Sequence, residues 1–264
     1  MVGENMKKIN WNECCWFFIL FGFSIYLYHL LYSGEILYFV HPRSIKFTTT
    51  TMLAFFVLTI FQVKRLTNPS QRPIKWGYLL FLLPLLTGAL VAPQGITEEI
   101  AVTRGITVAA QDRSGFSLFS PNAQRRIDYS QDEVLELDDV FFDDALNEIR
   151  SDLPRYIGQK VSLYGFVFRQ DHFDDQTIFV SRLLIVCCAA DSLITGILAD
   201  YEGAAAYEDY TWVEITGVID QTTYYDPWVD KSYEAPIVRV DSMAPREKPS
   251  IPYVYPRNYA GPEH

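Results

Sequence analysis

Hydrophobic residues fall along this chain in two different rhythms. Between residues 16 and 92 they form continuous runs, at 16–32, 47–63 and 76–92, and none of the three holds an Asp, Glu, Lys or Arg. Each run is about 17 residues long, the lower limit for an α-helix crossing the hydrocarbon of a bilayer. Trp11, Trp16, Tyr32, Tyr38 and Trp76 flank the runs, where amphipathic rings settle at a membrane surface. The pattern predicts about three membrane helices within residues 1–92. Lys7 and Lys8 precede the first run as in a secretory leader, but no small-x-small cleavage signature follows Tyr32, so a signal anchor is expected.

Beyond residue 130 the rhythm changes. Leu146, Ile149 and Leu153 recur at helical spacing behind Asp143, a good capping residue, and Pro154 stops the run. Period two then takes over. Val161, Leu163, Gly165 and Val167 alternate with other residues, as do Val213, Ile215, Gly217 and Ile219, so each set lines one face of a strand, with glycine at the same place in both. A glycine inside a strand marks a bend or bulge of the kind a small closed barrel needs. Further strands are expected at 177–186, 193–199 and 236–240. Five strands behind a short helix predict a mainly β domain folded as an OB-like five-stranded barrel over residues 131–264. A small sandwich would show similar alternation. Residues 93–130, rich in Gly, Ser, Pro and mixed charge apart from an apolar stretch at 106–110, read as a linker with at most one strand.

Charge separates the same two regions. Residues 1–92 carry 8 Lys and Arg against 3 Asp and Glu, a net of +5, whereas residues 93–264 carry 14 against 29, a net of −15. Lys64, Arg65, Arg72 and Lys75 crowd the second connector without an acid. The positive-inside rule therefore places the N-terminus and that connector in the cytoplasm and everything after Ala92 outside, as a multi-pass protein of the cell membrane. An outer domain so acidic repels phosphate backbones, which argues against nucleic acid as a partner. His29 sits near the outer end of its run as a snorkelling interface residue. Thr48 to Thr51 offer hydroxyls to a neighbouring helix, and Pro84 can kink the third span.

Candidate chemistry concentrates at Cys187, Cys188 and Asp191, at the end of the apolar run beginning near Thr177. Three readings compete. The thiols can pack inside the barrel, they can bind Zn or Cu together with Asp191 and, more weakly, His172, or they can form a vicinal disulfide. Consecutive strand residues point to opposite faces, so both sulfurs reach one ion only if the strand ends or bulges at the pair. Tyr224, Tyr225, Asp226, Pro227 and Trp228 form an aromatic stretch suited to a partner protein or to local packing. Cys14 and Cys15 read as membrane-entry residues. No P-loop, nucleophile elbow, zincin or dinucleotide motif occurs, and an enzyme is not expected.

Tyr156-x-Gly158-x-x-Val161, Gly165-x-Val167, Arg182 with Cys187-Cys188-Ala189-Ala190-Asp191, Trp212-Val213 with Gly217, and Pro252-Tyr253-Val254-Tyr255 together resemble the YcgQ-like family of bacterial membrane proteins. The resemblance implies a subunit of a two-component permease, partnered by a larger multi-span protein, with an outer domain of unassigned function. It supplies no catalytic residues. The expected function is thus an accessory subunit of a membrane permease complex whose outer β domain binds or gates solute, a metal ion among the candidates; the alternative is a stand-alone, membrane-anchored thiol or metal sensor or chaperone.

Overall fold

The computed structural model describes residues 10–67, 77–91, 97–98, 106–107, 133–227 and 230–256. Most of the expected linker at 93–130, and Trp228 of the aromatic stretch, lie outside those residues. The chain divides into two compact units, Met1–Gly95 and Ile96–His264.

In the first unit, α1 spans Trp11–Ser33, with the Asn10 side chain accepting from the Asn12 amide at its start and Gly34 closing it in the left-handed region at φ 77°. A 3-10 turn at Pro42–Ser44 leads into α2, Ile45–Val63. The expected third span is shorter than a membrane crossing. Helix α3 covers Tyr78–Leu90, 13 residues, which at 1.5 Å per residue rises only about 20 Å. Val91 turns extended at its C-terminal end. Among the described residues, two helices are long and apolar enough to cross a bilayer, Trp11–Ser33 and Pro42–Val63. Only 17% and 6% of their most apolar windows are buried, whereas a core helix of a water-soluble fold would hide most of that surface.

Helix α1 packs on both others. Trp16 meets Tyr78 and Phe81 of α3 at ring-centroid distances of 5.4 Å, Phe23 stacks on Phe55 of α2, and Gln62 donates to the Glu13 carboxylate at 2.6 Å. The hydroxyls of Thr48, Thr49, Thr50 and Thr51 do not reach a neighbour. Each donates to the carbonyl four residues earlier in its own helix, the nearest acceptor to a short side chain in an apolar setting.

The second unit is mainly β. Short strands β1 (Ile106–Thr107) and β2 (Leu135–Leu137) precede helix α4 (Phe142–Ser151) and a single helical turn, α5 (Leu153–Tyr156). Strands β3 (Lys160–Phe168), β4 (Thr177–Leu184), β5 (Leu193–Asp200), β6 (Trp212–Asp226), β7 (Lys231–Pro245) and β8 (Tyr253–Val254) follow. The pairings β3–β4, β4–β5, β5–β7, β7–β6 and β6–β3 return to the starting strand, and of these β5–β7 alone is parallel. The short strands β1, β2 and β8 add parallel to β5, β3 and β4.

Of the two strand glycines, Gly217 stands at the predicted bulge, and Gly165 answers a close backbone approach. A Cβ on Gly165 would lie 2.5 Å from the Ser181 carbonyl oxygen of β4, and the β6–β7 register shifts between Thr216 and Gly217. At both places the backbone of a neighbouring strand, Ser181 of β4 or Arg239 of β7, lies too close for a side chain.

Helix α4 lays Phe142, Leu146 and Ile149, all wholly buried, against Val161, Ile178, Val180, Val213 and Ile215 of the strands. Its cap is not Asp143. The Asp138 carboxylate accepts from the Val140 and Phe141 amides, while Asp143 lies within the first turn, 2% exposed. An acid one turn earlier faces the open amides, and Asp143 falls on the inward stripe of the helix.

Candidate metal centre

The β4–β5 connector carries the three flagged residues. Leu184 pairs with Leu193 as the last rung of the hairpin, and the Ile185 amide donates to Val254 of β8 at 3.1 Å. The β4 ladder ends there, although Cys188 is itself extended at φ −150° and ψ 164°. Cys188 precedes a 3-10 turn at Ala189–Asp191, closed by the Asp191 amide on the Cys188 carbonyl at 3.0 Å and the Ser192 amide on the Ala189 carbonyl at 3.1 Å. Three residues per turn stack position i+3 over position i, so Asp191 returns above Cys188. The strand has thus stopped before the pair, which is the condition for two adjacent sulfurs to face one point.

They do face it. The Cys187 thiol donates to Asp191 Oδ2 at 2.8 Å, Cys188 Sγ lies 3.6 Å from the same oxygen, and the two sulfurs are 3.7 Å apart. All three donor atoms fall within 4.8 Å of one another, and no other group of three or more His, Cys, Asp or Glu among the described residues converges in this way. Cys187 is exposed and Cys188 half-buried, both as free thiols, so neither lies in the core of the β domain.

Hydrogen bonding to Asp191, then burial and the Cys188 thiol, push the Cys187 thiol up to about 12. A proton held this firmly leaves little thiolate at neutral pH. Reactive and exchange-active cysteines show the opposite shift. A cation bound at this point would favour the thiolate.

His172 is placed elsewhere. It lies before β4, whereas the cysteines lie after it, and an eight-residue strand spans about 23 Å. Its ring packs on Phe173, Tyr224 and Tyr225. Tyr224 and Tyr225 of the aromatic stretch form the end of the β6–β7 ribbon, where Tyr224 is buried and Tyr225 exposed.

Two polar centres stand out: Arg182, which the sequence offered only as part of the family resemblance, and Glu98, which it did not single out. Arg182, on β4, is 0% exposed and lies 4.4, 5.2 and 5.7 Å from the Tyr164, Trp212 and Phe142 rings. Its charge meets Asp139, with Nη2 2.6 Å from Oδ1. A lone arginine at an inward-phased position of an apolar strand was the available signal. Glu98 is buried and accepts from Trp212 Nε1 at 3.2 Å and Lys248 Nζ at 2.9 Å.

The DUF1980 N-terminal domain matches residues 16–107 and the DUF1980 C-terminal domain residues 120–256. The chain belongs to the DUF1980 family. A relative of this DUF1980 chain, UPF0703 protein YcgQ of Bacillus subtilis strain 168, is 23% identical over 286 aligned positions, covering 90% of this chain and 97% of that protein. The expected YcgQ-like family is thereby met. A small single-stranded DNA-binding protein from Streptomyces coelicolor is similar in structure at 9% identity over 34% of this chain and 94% of its own, with a TM-score of 0.24. Cys187, Cys188 and Asp191 all fall within the DUF1980 C-terminal domain.

Proposed function

We propose that this DUF1980 chain is a membrane-anchored accessory subunit of a permease complex, whose outer domain binds a metal ion at Cys187, Cys188 and Asp191 and presents it to a multi-span partner. The observation that carries the proposal is the convergence of two thiols and a carboxylate within 4.8 Å on an exposed turn. Two thiols held at one point by a surface loop contribute little to packing, but they form a soft donor set that selects for borderline and soft cations. The role is binding, not catalysis.

The rest of the molecule supports this reading. We take the returning strand order, with β5–β7 as its parallel contact, as an OB-like barrel, a frame whose loops carry ligands. Helices α1 and α2 leave Phe47, Phe56, Phe61, Phe18 and Tyr28 exposed, surface suited to lipid and to the helices of a larger partner. The basic connector at 64–75 supports a cytoplasmic position for that loop and an outer one for the β domain. An outer domain of net charge −15 draws cations toward its surface.

The test is metal analysis of the tagged full chain purified from its native membranes, beside the Cys187→Ser/Cys188→Ser double variant. The parent is expected to carry metal and to co-purify with a multi-span protein, and the variant to lose the metal while keeping the partner. Equal metal in both chains removes the site, and absence of any multi-span companion removes the subunit role.

A further inference from the structure

We infer that the Cys187, Cys188 and Asp191 centre is a tetrahedral zinc site with its fourth position open to an incoming ligand, a loading station rather than a structural staple. The inference rests on the metal-binding reading above and adds the identity of the ion and the way it is exchanged.

The distances between donors carry the argument. Zinc bonds thiolate sulfur at about 2.3 Å and carboxylate oxygen at about 2.1 Å, so a tetrahedral angle sets two sulfurs about 3.8 Å apart and a sulfur about 3.6 Å from an oxygen. The sulfurs here are 3.7 Å apart, and Cys188 Sγ is 3.6 Å from Asp191 Oδ2. Two edges of the tetrahedron are therefore already in place. The third, Cys187 Sγ to Asp191 Oδ2, is 2.8 Å, shorter because a thiol proton bridges the atoms. Metal binding expels that proton, and the edge opens by about 0.8 Å through rotation of an exposed side chain, with no change in the loop.

Other ions fit less well. A linear two-sulfur ion such as Cu(I) would use only the two thiolates and leave the Asp191 carboxylate, which meets both sulfurs here, outside its coordination. Calcium and magnesium take six or more oxygens, and iron–sulfur clusters need four thiolates. The backbone of the turn is held by the Asp191 and Ser192 amides and by the tie from Ile185 to Val254, so the donors meet a metal without first being ordered.

Structural zinc sites are closed by four protein ligands, whereas open sites use three and leave one position to water or substrate. Three donors meet here, two on exposed residues and one on a half-buried one. A zinc ion so held exchanges by association: a thiol, imidazole or carboxylate from a partner enters the open position before a protein ligand leaves.

The experiment uses the full chain in detergent, stripped by chelator and reloaded separately with Zn(II), Co(II) or Cu(I). Zinc is expected to bind at one per chain, with an X-ray absorption shell of two sulfurs and two lighter atoms. Cobalt should give the intense ligand-field bands of a tetrahedral site, shifting when free imidazole is added. Cys188→Ser and Asp191→Asn are each expected to weaken zinc by about 100-fold or more, beyond the typical loss for an outer-shell partner, and the Asn variant keeps the shape of the turn. Exclusive Cu(I) binding through two sulfurs, a four-sulfur zinc shell, zinc affinity unchanged in Asp191→Asn, or a cobalt spectrum indifferent to imidazole overturns this inference while leaving metal binding intact. Failure to bind any of the three ions overturns both.

Discussion

The wholly buried guanidinium of Arg182 lies 2.6 Å from the carboxylate of Asp139, which is itself half exposed. A buried charge whose partner stands at the surface is stable only while that partner stays in place. Asp139→Ala is expected to cost about 2 kcal/mol, less than the ~3–5 of a fully buried pair because water screens the exposed half. The Arg182→Met/Asp139→Ala double variant is expected to recover most of the loss, since no bare guanidinium remains. Urea unfolding of the full chain in detergent, followed by tryptophan emission, checks this. A double variant no more stable than the single one would refute it.

Gly165 presses on the Ser181 backbone. Its substitution by alanine puts a methyl group 2.5 Å from a carbonyl oxygen that cannot turn aside, so β3 and β4 must separate. The expected loss is about 1–3 kcal/mol, the usual range for overpacking. Alanine at Gly158, where φ is +87° but nothing lies within 4 Å, acts through backbone strain alone. Thermal melts of the two variants should differ in kind: Gly165→Ala also loosens hydrogen-exchange protection along β3 and β4, and Gly158→Ala leaves it unchanged.

Burial raises the Asp143 carboxyl to about 6, against the opposing pull of Arg150 and of hydrogen bonds from Asn147 and Thr195. The fold thus prefers the neutral acid. Its stabilisation is fully present below about pH 4, the ordinary carboxylate range, and is lost as pH rises through about 6. Asp143→Asn stays neutral throughout, so its stability relative to the parent is flat below pH 4 and climbs by at most about 3 kcal/mol toward pH 7. Melting temperatures of both chains across pH 3.5–7.5 test the slope, and a difference independent of pH would sink it.

Glu98 joins the segment before β1 to the β domain's sheet by accepting from Trp212 and Lys248. Removing it leaves the indole N–H without its partner in a site only 5% exposed. Glu98→Ala is expected to cost about 1–3 kcal/mol and to change the emission of Trp212, whereas Lys248→Ala, which leaves the indole bond in place, should cost less than about 1 kcal/mol. Identical spectra for parent and Glu98→Ala would exclude the contact.

Legibility followed the core. The expected first strand coincides with Lys160–Phe168, because one of its faces is buried along its length and the alternation survives. The expected strands at 212–219 and 236–240 extend in fact to Trp212–Asp226 and Lys231–Pro245. Their outer halves pair mainly with each other, as Tyr224 with Tyr233 and Asp226 with Lys231, so little core surface imposed a pattern there. The Glu98–Trp212 bond spans 114 positions, and a contact that distant leaves no local trace. Asp138 and Asp143 are equally good capping residues by type, and only the line of the chain into α4 chose between them.

The sequence by itself determined the two-part plan, the apolar helices, the strand pattern with its glycine bends, and the gathering of Cys187, Cys188 and Asp191 at a strand end, since each depends on the period and type of near neighbours. Tertiary structure decided the distances. Whether two adjacent sulfurs and a carboxylate three positions on meet at a common point depends on where β4 stops and how tightly the following turn winds. That is fixed by the register of Leu184 on Leu193 and the tie from Ile185 to Val254, pairings made by segments of chain that the local sequence around the site does not contain.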